Sequence, residues 1–429
     1  MNRKRAVFPA GIIAVVLILL VACSPESGPP GPVGPAGPPG PIGPVGPPGD
    51  DASANLAYIG SEKCGDCHEE LYSRFILSGH ASALNPIEDE VAPAFPYDAS
   101  TGGLSDPPEG YTWDDITYVI GGYGWKARFV DQKGYLITGD ENAATQYNYA
   151  NEFVDKPQGW VAYHPGEEIQ FDCGECHTTG YRVEGHQDNL EGVVGTWAFP
   201  GVQCEVCHGP GNRHAADPYG ALMKIDHSSQ LCGECHSRDN PARIAAENGF
   251  ELHNQQYEDL FNSKHFAISC VTCHDPHASV RFADEEINPE NGIVQECESC
   301  HWQNEHGNVR LHLGVDCIDC HMPRMAFSAQ GDLELFRADI RSHQFSINPN
   351  PEASQFSEDG ALVMPYLTLQ YSCGQCHNGE YADVMEADAL KNAAEGYHDF
   401  PTPTPVPTAT PEAEANATEE ADMTPTPES

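Results

Sequence analysis

Basic side chains are scarce in this sequence: 21 lysines and arginines stand against 64 aspartates and glutamates, a formal net charge of −43 over 429 residues. Nucleic-acid binding needs basic patches that neutralise phosphates, so this balance excludes nucleic acid as a partner. It also disfavours docking to an anionic membrane surface, and it repels small anions unless a local basic channel exists. Cationic partners are favoured.

The N-terminal apolar run is too short to span a bilayer. It covers residues 8–22, follows basic residues at 3–5, and fits a secretory signal. The run ends in Leu-Val-Ala-Cys23, which resembles a bacterial lipobox. The resemblance implies a lipoprotein signal peptide over residues 1–22 and a lipidated N-terminal Cys23. An ordinary signal peptide with an incidental cysteine is the alternative.

Cysteine is almost absent outside one motif: 16 of the 17 cysteines belong to eight copies of Cys-x-x-Cys-His, and the remaining one is Cys23. This motif is the attachment signature of c-type haem, whose two vinyl groups bind the two thiols. The adjacent histidine is then the proximal ligand of the iron. The cofactor-binding cysteines are Cys64, Cys67, Cys173, Cys176, Cys204, Cys207, Cys232, Cys235, Cys270, Cys273, Cys297, Cys300, Cys317, Cys320, Cys373 and Cys376. The proximal histidines are His68, His177, His208, His236, His274, His301, His321 and His377.

Zinc and disulfides are the alternative uses of these cysteines. Paired Cys-x-x-Cys units can build zinc ribbons with four thiolate ligands, but a ribbon has no use for a histidine after every second cysteine. A disulfide framework is contradicted by the single, regular spacing. The sequence therefore predicts a cytochrome c with eight c-type haems, each holding iron.

The motifs also define the main domain. They lie within residues 56–398, roughly 43 residues per haem, which is thin for a conventional hydrophobic core. We therefore predict a mostly α and irregular fold with a haem-packed core, short helices and a small β-containing insert. The octahaem domain is assigned to residues 56–400. Its haem-free insert, residues 81–172, is interpreted as a cap over the haems, with a docking or substrate-entry module as the alternative.

Local patterns add detail to this domain and its flanks. We predict a helix over residues 69–78. We also predict two short strands within residues 127–138, around a turn at 132–134. Residues 23–55 hold the lipidated cysteine and seven collagen-like Gly-x-y triplets, interpreted as a stiff polyproline II stalk, with trimerisation as the alternative. Residues 401–429 form a Pro/Thr-rich acidic tail that cannot bury enough apolar surface to fold.

The histidines outside the motifs decide whether each haem is open. A haem with histidine on both faces transfers electrons, whereas one with an empty sixth position can bind substrate. Twelve such histidines exceed the eight that a fully closed protein needs. His277 follows His274 by three residues and His214 follows His208 by six. These tethers are too short to reach the opposite face of the same haem, so each is expected to cap a neighbouring haem.

Five segments resemble the multihaem cytochromes c of the nitrite reductase and hydroxylamine oxidoreductase superfamily, and most of all its electron-carrying members: CGDCHEELYSRFILSGHA, QCEVCHGPGNRH, SCVTCHDPH, DCIDCHMPR and DIRSHQF. The resemblance covers residues 60–398. It implies that the distal ligands include His80, His214, His277 and His343. His265 fits the same pattern, and the set of eight is completed by His186, His253 and His312, with His306 as the competitor of His312.

The sequence departs from the enzymes of that superfamily. The nitrite reductases carry Cys-x-x-Cys-Lys at the catalytic haem, and here all eight motifs end in histidine. Hydroxylamine-oxidising members use a haem that is modified by a tyrosine. The sequence does not allow Tyr371, just before the last motif, to be assigned that role. The resemblance therefore supports the haem architecture more than an enzymatic activity, and no catalytic residue is assigned.

Three functions remain open. The favoured one is an extracytoplasmic, lipid-anchored electron carrier between a membrane quinol-oxidising or other redox complex and an external acceptor, either another cytochrome or a cationic or mineral acceptor. The second is an oxidoreductase of small nitrogen or sulfur compounds with one open haem. The third is a homo-oligomeric conductive filament.

Haem content is the first testable prediction. Because eight motifs are present, mass spectrometry of the denatured, mature protein should show eight haem masses above the lipidated polypeptide. A mass that contains zinc, or clearly fewer haems than motifs, contradicts the prediction.

Membrane attachment is the second. Cys23→Ala should release the protein from membranes or block its processing, because the lipid is the only predicted attachment. A lone acyl chain binds weakly, but a lipidated N-terminal cysteine usually carries several. If the variant still fractionates with membranes in high salt, the lipoprotein assignment is wrong.

Overall fold

The computed structural model describes residues 56–104, 106–238, 240–282, 292–302, 312 and 314–398. The predicted signal, stalk and tail, as well as His306, lie outside these residues. The helices are α1 Ser61–Gly65, α2 Glu69–Phe75, α3 Asp98–Thr101, α4 Gly174–His177, α5 Cys204–His208, α6 Asn212–Ala216, α7 Ser229–Gly233, α8 Gln256–Asn262, α9 Cys317–His321, α10 Leu369–Ser372 and α11 Ala387–Ala394. Single 3-10 turns cover Trp113–Asp115, Gln187–Asn189, Cys270–Thr272 and Cys297–Ser299.

A five-stranded antiparallel sheet occupies the predicted insert. Its strands are β1 Leu84–Pro86, β2 Ile116–Gly121, β3 Lys126–Asp131, β4 Gln146–Asn148 and β5 Gly159–Val161, hydrogen-bonded in that order. Val119 of β2 lies opposite Phe129 of β3, and both side chains are buried in an apolar cluster with Ala127. The insert thus has a small hydrophobic core of its own, built from alternate residues of adjacent strands.

Part of this sheet differs from the prediction. The first predicted strand is present as β3, and Gly134 adopts the positive φ of 93° that the following turn requires. The second predicted strand pairs with β3 only through an isolated bridge between Val130 and Leu136, and the true partner of β3 is β2. The predicted helix begins at Glu69 as expected but ends at Phe75, before a turn.

A second five-stranded sheet lies outside the insert and was not predicted. Its order is β11-β10-β9-β8-β13, from β8 Ile244–Glu247, β9 Phe250–Leu252, β10 Arg324–Asp332, β11 Arg337–Arg341 and β13 Leu362–Val363. Two short pairs complete the strands: β6 Thr178–Thr179 with β7 Phe199–Pro200, and β12 Ile347–Asn348 with β14 Leu367–Thr368. Burial along β10 does not alternate, so the period of two that marks a strand in sequence is missing.

The insert contacts the second sheet through polar groups on β10. Lys126 Nζ donates to Ser328 O, and Asn148 Nδ2 donates to Ala329 O at 3.1 Å. Further along, Lys156 pairs with Asp332 at 3.0 Å. These contacts fix β3 and β4 of the insert against a strand that lies about 180 residues later in the sequence.

The predicted fold class is confirmed, because short helices and small sheets alternate with long irregular segments. Within the described ranges, every helix falls short of the length and apolar character that crossing a membrane requires.

Candidate haem-binding sites

Each motif forms a single helical or 3-10 turn or lies directly beside one. The backbone N–H of the motif histidine bonds back to the carbonyl of the first cysteine, for example His68 N to Cys64 O at 2.9 Å and His301 N to Cys297 O at 2.8 Å. One turn places residues i, i+3 and i+4 on the same side of the backbone. The two thiols and the imidazole of a motif therefore face one space, as covalent haem attachment requires.

Seven of the eight motif histidines face a second histidine from elsewhere in the chain. The ring centroids are 5.9 to 6.3 Å apart in His68–His214, His236–His80, His208–His277, His301–His265, His274–His343, His377–His312 and His321–His398. The ring centroids of two imidazoles that bind one ion from opposite sides stand roughly 6 Å apart, because each metal–nitrogen bond is about 2 Å long and each ring centroid lies roughly 1 Å beyond its nitrogen. These spacings fit haem iron with histidine on both faces.

The pairs cross between motifs. His214, which follows the third motif, lies against His68 of the first, and His277, which follows the fifth, lies against His208 of the third. Within the described residues, no pair consists of a motif histidine and the histidine that follows it by a few residues. Neighbouring sites are therefore linked through the backbone as well as through space.

Not all of the eight expected distal histidines lie against the ring of a motif histidine. Six of them lie against a motif ring, as described above: His80, His214, His265, His277, His312 and His343. His186 faces no motif histidine in the described part of the chain, and its Nδ1 donates to Val193 O at 2.6 Å. His398, which the sequence analysis did not select, faces His321 across 77 residues of sequence and has no local spacing signal that would single it out.

His177 of the second motif is the exception. In the described part of the chain no second imidazole stands against its ring, and its Nδ1 donates to Ala83 O at 2.8 Å. Burial lowers the pKa of His177, and so do the nearby charges of Arg128 and Lys126. Burial and the same two cations, together with Arg238, lower the pKa of His253 to about 3. His253 therefore lies in this neighbourhood without forming a ring pair.

Lys126 and Arg128 are two residues apart on β3, so both project from the same face of the strand. Arg128 Nε donates to Gln146 Oε1 at 2.7 Å, and its guanidinium lies 3.7 Å above the Tyr163 ring. Burial lowers the pKa of Lys126 to about 7, helped by the charge of Arg128. A protein with few basic residues thus places two of them beside the one described motif histidine that has no ring partner.

Two buried carboxylates position ligand pairs. Glu205, at a variable position of the third motif, accepts the backbone N–H groups of Ile59, Gly60 and Gly211 at 2.7 to 3.0 Å. It thereby connects the segments that lead to Cys64 and to His214, which serve the same site. Asp259 accepts the backbone N–H of His343 at 2.6 Å. Sequence analysis missed both residues because neither occupies one of the fixed cysteine or histidine positions of a motif.

Cysteines of different motifs are close together. Four pairs of cysteines lie close enough for each thiol to affect the pKa of the other: Cys64–Cys204, Cys176–Cys235, Cys232–Cys270 and Cys297–Cys317. Weaker electrostatic interactions connect Cys207 with Cys232, Cys273 with Cys297 and Cys320 with Cys373. These neighbours arrange the motifs in the order first, third, fourth, fifth, sixth, seventh, eighth. The second motif branches from the fourth.

Comparison with known proteins agrees with this geometry. A family profile described as "Cytochrome c554 and c-prime" matches residues 141–209. Dissimilatory sulfite reductase MccA of Wolinella succinogenes is 22% identical, over 62% of this chain and 51% of that protein. Multiheme cytochrome MtrA of Shewanella baltica is 25% identical, over 35% of this chain and 45% of that protein. The chain thus spans about half the length of these curated relatives.

A solved structure, the Wolinella succinogenes octaheme sulfite reductase MccA, shares the fold with a TM-score of 0.53 at 18% identity, covering 79% of this chain and 70% of that one. The chain is a multihaem c-type cytochrome. Haem irons supply one-electron oxidation and reduction, the chemistry on which electron transfer depends.

Axial ligation is the third testable prediction. His398→Ala should convert one low-spin haem to high-spin, because it removes the ring that faces His321. His186→Ala is the matched control and should leave the spectrum unchanged, because that imidazole, bonded to Val193 O, faces no motif histidine in the described part of the chain. Electron paramagnetic resonance of the oxidised variants provides the measurement. A high-spin signal in the His186 variant but not in the His398 variant contradicts the assignment.

Proposed function

We propose that this chain is an octahaem electron carrier located outside the cytoplasm and attached to a membrane by a lipid on Cys23. The observation that carries the proposal is the set of seven facing histidine pairs, each with the spacing of two ligands on one iron. An iron that keeps both imidazoles in either oxidation state rearranges little when it gains an electron. That property favours transfer over substrate binding.

The order of the motifs supports a path through the protein. Contacts between cysteines of successive motifs run from the first motif through the third, fourth, fifth, sixth and seventh to the eighth. Electrons enter at one end of this series and leave at the other. The donor is a membrane quinol-oxidising or other redox complex, and the acceptor is another cytochrome or a cationic or mineral acceptor.

The net negative charge of the chain is consistent with basic redox partners and with low reduction potentials of the haems. A net charge of −43 attracts partners with basic docking faces. The same acidic surroundings favour the ferric form of the haems and lower their reduction potentials. The collagen-like stalk would hold the haem domain away from the membrane to which the lipid is attached.

A second function is favoured by the surroundings of His177: reduction of a small inorganic oxyanion. Lys126 and Arg128 provide positive charge near this ring, and no described imidazole is in ring contact with it. Because the net negative charge of the chain repels anions, anion binding requires a local basic site, and these two residues provide one. The relative MccA is named a sulfite reductase, which makes sulfite the first compound to test.

In this second function the chain's own residues bind and orient the anion. Arg128 offers a planar guanidinium held by Gln146 and Tyr163, so its donors are fixed before the anion arrives. Lys126 adds a compact charge, and the contact of its Nζ with Ser328 O fixes its position. Electrons would arrive through the fourth motif, because Cys176 contacts Cys235.

Spin state and turnover distinguish the two functions, and they form the fourth prediction. Oxidised protein should show a high-spin ferric signal of about one haem per molecule, since one motif histidine lacks a facing ring. Sulfite should shift the Soret band. Lys126→Gln should weaken sulfite binding roughly 10- to 100-fold, the cost of a hydrogen bond to a charged group. Lys133→Gln changes an exposed lysine beyond the same strand and should have no effect.

Turnover with a reduced viologen dye then decides between the functions. Steady sulfite consumption that Lys126→Gln suppresses supports the reductase, whereas binding without consumption supports the carrier. A fully low-spin spectrum contradicts the open site at His177 and supports a closed carrier.

A further inference from the structure

The hydrogen bonds at the outer nitrogen of the paired imidazoles differ from site to site. When Nε2 of a histidine binds iron, Nδ1–H is free to donate, and its acceptor tunes the electron density on the ring. Four paired histidines donate to a neutral backbone carbonyl at 2.7 to 3.0 Å: His208 to Lys224, His214 to Ala221, His321 to Phe345 and His377 to Asp383. A carbonyl acceptor leaves the ring an ordinary neutral imidazole.

His277 has a different acceptor. Its Nδ1 donates to Oδ1 of Asp275 at 2.9 Å, and its backbone N–H donates to the same oxygen at 2.9 Å. Oδ2 of Asp275 forms an ion pair with the Arg74 guanidinium. Both side chains are largely shielded from solvent, with Asp275 16% and Arg74 21% exposed. The ion pair holds the carboxylate in its charged form and aims it at the ring.

A carboxylate that accepts from Nδ1–H gives the imidazole partial imidazolate character. The ring becomes a stronger electron donor to the iron, and the negative charge nearby favours the ferric state. Arg74 opposes this effect, because its positive charge draws electron density from the carboxylate. Asp275 and Arg74 thus act on the same iron with opposite signs.

The site that contains His214 provides an internal comparison. His68–His214 and His208–His277 are both stacked pairs, with centroids 6.2 and 6.3 Å apart and ring planes inclined by 18° and 7°. Both pairs join a proximal histidine to a distal histidine that follows another motif. The distal Nδ1 donates to a carbonyl in one pair and to a carboxylate in the other. Two sites of similar ligand geometry therefore differ in charge.

We propose that Asp275, held by Arg74, lowers the reduction potential of the haem between His208 and His277 below that of the neighbouring haem between His68 and His214. The proposal rests on both rings of each pair binding one iron, as proposed above. Because the third motif lies between the first and the fourth, the low-potential haem forms a step near one end of the electron path. Arg74 lies on α2, directly after the first motif, so the same ion pair connects the two sites.

Asp275→Asn is the fifth prediction. The amide still accepts a hydrogen bond but lacks the charge, so the ferric–ferrous equilibrium of one haem should shift toward the ferrous form by roughly tenfold, about 59 mV for a one-electron couple. Arg74→Gln should shift the same haem in the opposite direction. Redox titration followed by electron paramagnetic resonance measures both. Glu167→Gln, at an exposed acidic residue that contacts His164 in the haem-free insert, is the matched control and should shift no haem to that extent.

The outcomes separate tuning from a purely structural role. Opposite shifts of one low-spin haem in the Asp275 and Arg74 variants support the proposal. Unchanged potentials, shifts of the same sign, or a new high-spin haem in Asp275→Asn overturn it. His277→Ala tests the ligand assignment separately: if this variant has no more high-spin haem than the parent protein, the pairing of His208 with His277 on one iron fails, and the proposed ligation fails with it.

Discussion

The structure depends on one recurring interaction, the pairing of two imidazoles at the spacing that a single iron atom would require. Each of seven motif histidines has a partner about 6 Å away by ring centroid, brought there from another part of the chain. Helices of four to eight residues and strands of two to nine cannot by themselves organise a domain of this length. The apolar clusters of the protein are correspondingly small, and one of the largest lies in the haem-free insert. The facing histidine pairs are therefore important long-range contacts between otherwise irregular segments.

Sequence reasoning was strong where the chemistry is local. A motif of five residues specifies one turn, two thiols and one imidazole, so the proximal positions and the mostly irregular fold follow from spacing. Distal positions depend on tertiary contacts instead. His214 and His277 carry a signal because their tethers exclude their own haem, whereas His398 reaches His321 over 77 residues with no pattern to reveal it. The second sheet was missed for a related reason: its strands are short, and burial along β10 does not alternate.

The net charge of the chain and the charge around a single site also differ. The composition correctly describes an acidic protein, yet three of its cations, Lys126, Arg128 and Arg238, act together near His177 and His253. Strand β3 brings the first two to one face, and the second sheet supplies the carbonyl that holds Lys126. Net charge therefore describes how the molecule attracts its partners, but it does not describe the field inside any one site.

The crossing of ligands between motifs also constrains how such a protein can change. The tetrapeptide from His274 to His277 would serve two irons, because His274 faces His343 and His277 faces His208. Deleting the fifth motif with its flank would remove one haem and also strip a second haem of its sixth ligand. Haems in this array are thus not modular units that can be lost one at a time. A haem motif could be lost without exposing another iron only if its histidines bind none of the remaining haems. The interior of the series would therefore be conserved, whereas its ends could vary.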